Sequence, residues 1–147
     1  MQLPKRILVA TDFSDASEVA LDYAIGLAKA LGAKITVFHS YELPIYGFPD
    51  GALIATAEMA TAIMTGAQAG LDAMCKRREG SGVELTQVVR QGMASEDVHR
   101  VAEEVGADLI VIGTHGRKGL AHALLGSVAE KIIRTATRPV LTLHQAH

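Results

Sequence analysis

Short apolar runs alternate with segments of helical periodicity along the whole chain, and this alternation limits the fold more than any other feature. A short run rich in β-branched residues is typical of a strand that is buried on both faces. The segments between the runs repeat apolar residues every three or four positions, as amphipathic helices do. The order β-α-β-α-β-α-β-α-β predicts an α/β fold, in which helices cover both faces of a parallel sheet. The predicted strands are Arg6–Thr11, Lys34–Ser40, Val83–Arg90, Leu109–Ile112 and Val140–His144.

Single residues predict where the helices begin and end. Asp15, with Glu18 three residues later, predicts the cap of the first helix, and Gly32 and Gly106 predict the ends of the first and third helices. Tyr23 falls on the expected buried face of the first helix. The second helix is expected to end near Gly80. One face of this helix carries an apolar stripe, which suggests that it packs in the core or forms a dimer surface. The stripe comprises Leu53, Ala57, Ala60, Met64, Ala67, Leu71 and Met74.

The stretch from Ala107 to Arg134 combines a strand, a glycine-rich loop and a helix start. The strand is expected to end at Gly113, and the helix after Gly126-Ser127 is expected to bury Val128, Ala129, Ile132, Ile133 and Ala136. Glycines allow an anion to approach the backbone, and the free N–H groups of a first helical turn can bind a phosphate. A simpler interpretation also stands, in which Gly113 only ends a strand and Ser127 only caps a helix in a capping box with Glu130.

The glycine spacing is Gly113-x2-Gly116-x9-Gly126-Ser127. It is neither a Walker A loop nor a dinucleotide-binding G-x-G-x-x-G motif. It resembles the nucleotide loop of the ATP-binding branch of the universal stress protein family, and so do the segments 10–14 and 126–131. The resemblance extends over essentially the whole chain. It implies a Rossmann-like sheet, similar to that of the adenine nucleotide α-hydrolases, with strand order 3-2-1-4-5.

In that order strands 1 and 4 are neighbours, and ligands of open α/β sheets bind beyond the carboxyl ends of such strands. The resemblance therefore implies a site for ATP, or for ADP or AMP, with Mg²⁺ arriving through the phosphates. Asp12 is expected to recognise the nucleoside, with the alternative that it is only a helix N-terminal anion. The backbone of Ser40 is expected to face adenine, although relatives often carry an aliphatic residue there. The full expected site comprises Ala10, Thr11, Asp12, Ser40, Gly113, Thr114, His115, Gly116, Arg117, Lys118, Gly126, Ser127 and Val128.

Composition excludes several other classes of protein. The formal net charge of −2 offers no electrostatic footprint for nucleic acid or an anionic membrane. One cysteine, Cys75, excludes an internal disulfide and suits a reducing compartment. The chain shows no signal peptide, no apolar run long enough for a membrane span and no histidine or cysteine cluster for zinc. We expect one cytoplasmic domain, residues 1–147.

Three functions remain open. The first is a stress-response regulatory protein that binds ATP without turning it over, since no general base is evident beside the expected γ-phosphate. The second is a slow ATPase or nucleotidyl-transfer enzyme, and the third is a dimer that binds no nucleotide. The family resemblance also implies a homodimer through the last strand, Val140–His144, which has the character of an exposed sheet edge.

Overall fold

The computed structural model describes residues 2–44, 49, 56–114 and 126–145 of the chain. Five strands and four α-helices alternate in the described residues, as the sequence predicts. The five-stranded sheet has the order β3-β2-β1-β4-β5, and the four strand pairings are parallel, so the predicted fold and strand order are confirmed. The elements are β1 (Arg6–Ala10), α1 (Asp15–Leu31), β2 (Lys34–Tyr41), α2 (Ala57–Lys76), β3 (Leu85–Gln91), α3 (Ala94–Val105), β4 (Leu109–Thr114), α4 (Ser127–Thr135) and β5 (Val140–His144).

Two apolar layers pack against opposite faces of the sheet. Alternate strand residues such as Val9 and Val37 pack with α1 and α2 in one core cluster. The intervening residues, such as Leu8 and Phe38, pack with α3 and α4 in the other. Because the central strands are covered on both faces, they are apolar throughout, which explains the unbroken runs in the sequence.

The register of the sheet aligns the carboxyl ends of the central strands. Ala10 of β1 is paired with Phe38 of β2 on one side and with Ile112 of β4 on the other. Two residues beyond this line lie Asp12, Ser40 and Thr114. Three expected site residues from distant parts of the chain therefore stand at one edge of the sheet.

The first helix starts differently from the prediction and ends as predicted. Ser14 is the N-cap of α1, and its hydroxyl accepts a hydrogen bond from the Ser17 N–H at 3.3 Å. Asp15 is already the first helical residue, so its assignment as the cap was wrong. Gly32 and Gly106 end α1 and α3 in the left-handed conformation, with φ of 65° and 68°, which confirms both predicted stops.

Other differences concern helix faces and element ends. Tyr23 is 52% exposed, because α1 buries the neighbouring stripe that contains Leu21 and Ala24. Met64 in the predicted stripe of α2 is 47% exposed, and α2 ends at Lys76 rather than near Gly80. Strand β3 begins at Leu85 rather than Val83 because Gly82, at φ 81°, still belongs to a turn.

Candidate functional site

The loop after β1 is fixed by hydrogen bonds of its own short polar side chains. The Thr11 hydroxyl accepts from the Phe13 N–H at 3.0 Å and donates to the Ser17 hydroxyl at 2.8 Å. The Asp12 carboxylate is exposed, and its Oδ1 accepts from the Ser14 N–H at 3.0 Å. This Asx-turn orients the carboxylate at the carboxyl edge of the sheet, beside the start of α1.

Phe13 gives this loop a second means of support that sequence reasoning missed. Its φ is 64°, which is uncommon for an aromatic residue and stores strain. The ring packs on His39 with centroids 4.2 Å apart, and His39 Nδ1 lies 2.8 Å from the Thr11 carbonyl oxygen. A Cβ built at Gly70 of α2 would lie 3.0 Å from the same ring. Gly70 thus permits α2 to pack closely on the Phe13 ring.

Gly113 has a packing role that differs from both interpretations of the sequence. Strand β4 continues through Gly113 to Thr114, so Gly113 does not end the strand. A Cβ built at Gly113 would lie 2.3 Å from the Ala16 carbonyl oxygen and 2.8 Å from the Ser17 backbone nitrogen. A glycine is needed because the first turn of α1 crosses directly over β4.

Thr114 closes the end of β4 against β5. It is fully buried, and its hydroxyl donates to the Leu143 carbonyl at 3.3 Å and hydrogen-bonds His144 Nδ1. These bonds fix Thr114, the second residue of the predicted phosphate loop from Gly113 to Ser127. Of that loop, His115, Gly116, Arg117 and Lys118 lie outside the described residues.

Helix α4 presents an N-terminus that no described side chain caps. Gly126 is the N-cap residue, with φ −56° and ψ 154°, and Ser127 is the first helical residue. The predicted capping box is therefore wrong: Ser127 stands too far into the helix to cap it, and Glu130 pairs with Arg134 at 2.6 Å. The first-turn N–H groups, including those of Ser127 and Val128, retain the character of an anion-binding terminus.

The exposed and buried faces of α4 also differ from the prediction. Ala129 and Ile132 are buried against the sheet, whereas Val128 is 50% exposed and Ile133 is 40% exposed. A helix at the edge of the layer buries one narrow stripe, and these two residues fall outside it. No described atom lies within 4 Å of a Cβ built at Gly126, so the space beside the helix start is open as far as the structure describes it.

The site as described comprises the carboxyl ends of β1, β2 and β4 and the start of α4. Because α4 is the helix between the parallel strands β4 and β5, its N-terminus stands at the carboxyl edge of the sheet, where Asp12 and Ser40 also lie. Within the described ranges there is no group of three or more His, Cys, Asp or Glu residues that could hold a metal ion. In the same part of the chain, no helix is both long and apolar enough to cross a membrane.

Comparisons with known proteins agree with this architecture. The chain is 35% identical over 143 residues to universal stress protein MJ0531 of Methanocaldococcus jannaschii, covering 96% of this chain and 82% of that protein. A universal stress protein family structure from Burkholderia pseudomallei matches with a TM-score of 0.75 and 29% identity, covering 95% of each chain. A universal stress protein solved in complex with cAMP matches with a TM-score of 0.70 and 27% identity, covering 99% of this chain and 100% of that one.

The family model agrees with the pairwise similarities. The model of the universal stress protein family matches residues 4–144, which is nearly the full length of the sequence. The parallel sheet with order β3-β2-β1-β4-β5 was expected for that family and is observed. The chain belongs to the universal stress protein family.

Proposed function

We propose that this protein binds an adenine nucleotide, ATP in the first place and ADP or AMP as alternatives, at the carboxyl edge of β1 and β4. The observation that carries the proposal is the shared position of Asp12, Ser40 and Thr114 beside the N-terminus of α4, which has no described side-chain cap. A relative at 27% identity was solved with cAMP, which supports an adenine nucleotide as the ligand class.

The proposed roles follow the chemistry of each group. The phosphates accept hydrogen bonds from the backbone around Gly126, Ser127 and Val128, where the helix dipole favours an anion. Asp12 accepts a hydrogen bond from the ribose or the base, and the backbones of Ala10, Thr11 and Ser40 line the nucleoside end. Gly113 and Thr114 lead into the remaining proposed phosphate contacts, which are His115, Gly116, Arg117 and Lys118.

A bound metal would come with the nucleotide. Mg²⁺ prefers oxygen ligands and keeps several waters, so phosphate oxygens suffice to hold it. We propose that the protein acts by binding rather than by turnover, in the cytoplasm, as a regulatory protein of the stress response. A steady-state phosphate-release assay separates this function from slow hydrolysis: catalytic turnover that Asp12→Ala or Gly126→Val abolishes would contradict a binding-only role.

We also infer a homodimer that forms through β5. One side of β5 pairs with β4, and no described strand pairs with its other side. A strand edge of this kind is a template for a second strand, and twofold symmetry is the commonest closed arrangement.

The experiment that tests nucleotide binding most simply is mass spectrometry of the small molecules released from gently purified protein. We expect an adenine nucleotide at close to one molecule per chain. Protein that carries none, and that also fails to bind added ATP, ADP, AMP or cAMP in calorimetry, would contradict the proposal.

A further inference from the structure

We propose that Met93 is the apolar wall against which the adenine base packs. This inference rests on the proposed nucleotide function and assigns a residue to the base end of the same site. The need for such a wall comes from Ser40. Its short polar side chain cannot supply the apolar contact that an aromatic base requires when it leaves water.

The sheet places Met93 just past the last residues of the β2–β3 ladder, three residues after the partner of Ser40. Ser40 is paired with Arg90, and Tyr41 with Gln91. The ladder extends one step further, because the Gly92 N–H donates to the Tyr41 carbonyl at 2.9 Å. Met93 is therefore the first residue past the carboxyl edge of the β2–β3 pair.

Met93 and the phosphate end of the site belong to the same face of the sheet. Ser40 lies two residues after Phe38 and so shares its face, where Phe38 packs with α3 and α4. Met93 is the N-cap residue of α3, and Gly126 is that of α4. A nucleotide whose phosphates meet the start of α4 would direct its base along this edge, towards the start of α3.

The backbone of Met93 is held in place. Its carbonyl accepts hydrogen bonds from the Glu96 N–H at 3.0 Å and the Asp97 N–H at 2.9 Å. Gly92 has φ 151°, a conformation that favours glycine, and a Cβ built there would lie 2.0 Å from Asp97 Oδ2. The side chain thus projects from a fixed point rather than from a loose loop.

The side chain of Met93 is not used by the core. It is 48% exposed, whereas Val98, Val101 and Ala102 of α3 are fully buried and hold the helix on the sheet. A flexible, polarizable thioether packs favourably on the face of an aromatic ring. An exposed methionine at the start of α3, just past the β2–β3 ladder that contains Ser40, meets the requirement for a base contact.

Calorimetry with ATP and with adenosine on the full chain tests the inference. We expect Met93→Ala to weaken the binding of both ligands by the same factor, about threefold to tenfold. Met93→Leu should stay within about twofold of the wild type, since it keeps the apolar surface. Met93→Gln, which keeps the length but not the apolar surface, should resemble the alanine variant and covers the case in which that variant folds poorly.

Met64→Ala is the matched control, because Met64 is 47% exposed on α2, which packs on the opposite face of the sheet. It should leave both affinities unchanged. Unchanged adenosine binding by Met93→Ala and Met93→Gln, or a loss seen with ATP alone, would overturn the role of Met93 while leaving nucleotide binding intact. A wild-type protein that binds neither ligand would overturn the proposed function, and this inference with it.

Discussion

At the scale of single residues, Gly113 and Gly126 have different reasons to be glycine. A side chain at Gly113 would collide with the backbone of α1, whereas a side chain at Gly126 meets no described atom. We predict that Gly113→Ala lowers the free energy of unfolding by about 1–3 kcal/mol, as overpacking does. Urea denaturation measures it, with Gly80→Ala as control, since a Cβ built at Gly80 also meets no described atom. Equal stability of the Gly113 and Gly80 variants would contradict the assigned packing role.

Asp12 gives a second prediction at this scale. If its carboxylate hydrogen-bonds the nucleoside, Asp12→Ala should weaken the binding of ATP and of adenosine by similar factors. The expected loss of binding free energy is about 1.5–3 kcal/mol. Asp12→Asn is the matched variant, because its side-chain oxygen can still accept from the Ser14 N–H. Calorimetry compares the two ligands. A loss confined to ATP would assign Asp12 to the phosphates or the metal instead.

At the scale of elements, Arg78 ties the end of α2 to the start of α1. Its side chain is 11% exposed, and its guanidinium bonds Glu18 Oε2 at 2.5 Å, Asp22 Oδ1 at 2.7 Å and the Met74 carbonyl at 2.9 Å. Burial opposes the charge, yet hydrogen bonds to Asp22 and Glu18 outweigh it and raise the pKa of Arg78. The contact joins the two helices of one layer, because two of these three partner groups belong to α1 and one belongs to α2.

We predict that Arg78→Ala lowers the free energy of unfolding by about 1–3 kcal/mol, because it leaves partly buried acceptors without their donor. Arg77 provides the comparison within the same cluster. It also pairs with Glu18, but its side chain is 57% exposed. Arg77→Ala should therefore cost less than about 1 kcal/mol. Chemical denaturation that ranks the two variants in the opposite order would show that burial does not determine the strength of these pairs.

Local patterns predicted the elements of this fold better than they predicted its contacts. The five strands and the stops at Gly32 and Gly106 follow from apolar runs and from glycine conformation, both of which are local properties. The N-cap of α1 was harder to predict from the sequence. Ser14 and Asp15 are both good capping residues, and the backbone geometry decides between them.

Contacts between distant segments could not be predicted from the sequence. The packing of Gly113 on Ala16 depends on how closely α1 crosses β4, and the support of Phe13 by His39 depends on the pairing of β1 with β2. Alternation in β2 was the available signal for His39, since it places that residue on the same face as Val37. The shared edge of Asp12 and Gly113 was predictable only because the family resemblance supplied the strand order.

At the scale of the whole molecule, the geometry of β5 identifies which substitution tests the dimer. The Ile110 N–H donates to the Pro139 carbonyl at 3.0 Å, so the alternation of a parallel ladder directs the backbone of Leu141 towards β4 and that of Thr142 outwards. We predict that Thr142→Pro yields a folded monomer, because it removes an outward donor. Light scattering at micromolar concentration measures the mass. A monomeric wild type, or a folded Thr142→Pro protein that remains dimeric, would contradict the interface.

Leu141→Pro serves as the comparison for the dimer test. It removes a donor that faces β4 and should therefore lower the stability of the sheet itself, which circular dichroism during thermal unfolding would report. Comparing Thr142→Pro with Leu141→Pro therefore distinguishes loss of the dimer from loss of the folded sheet.

The central claim is that the phosphates of an adenine nucleotide bind at the N-terminus of α4. Calorimetric titration of ATP into the wild type, Gly126→Val and Gly80→Val tests it most directly. The φ of −56° at Gly126 suits valine, so the variant should fold, while its branched side chain occupies the space assigned to a phosphate. We predict that Gly126→Val loses ATP affinity by at least about tenfold, which is about 1.4 kcal/mol, and that Gly80→Val binds like the wild type. A folded Gly126→Val protein with wild-type affinity for ATP would contradict the claim.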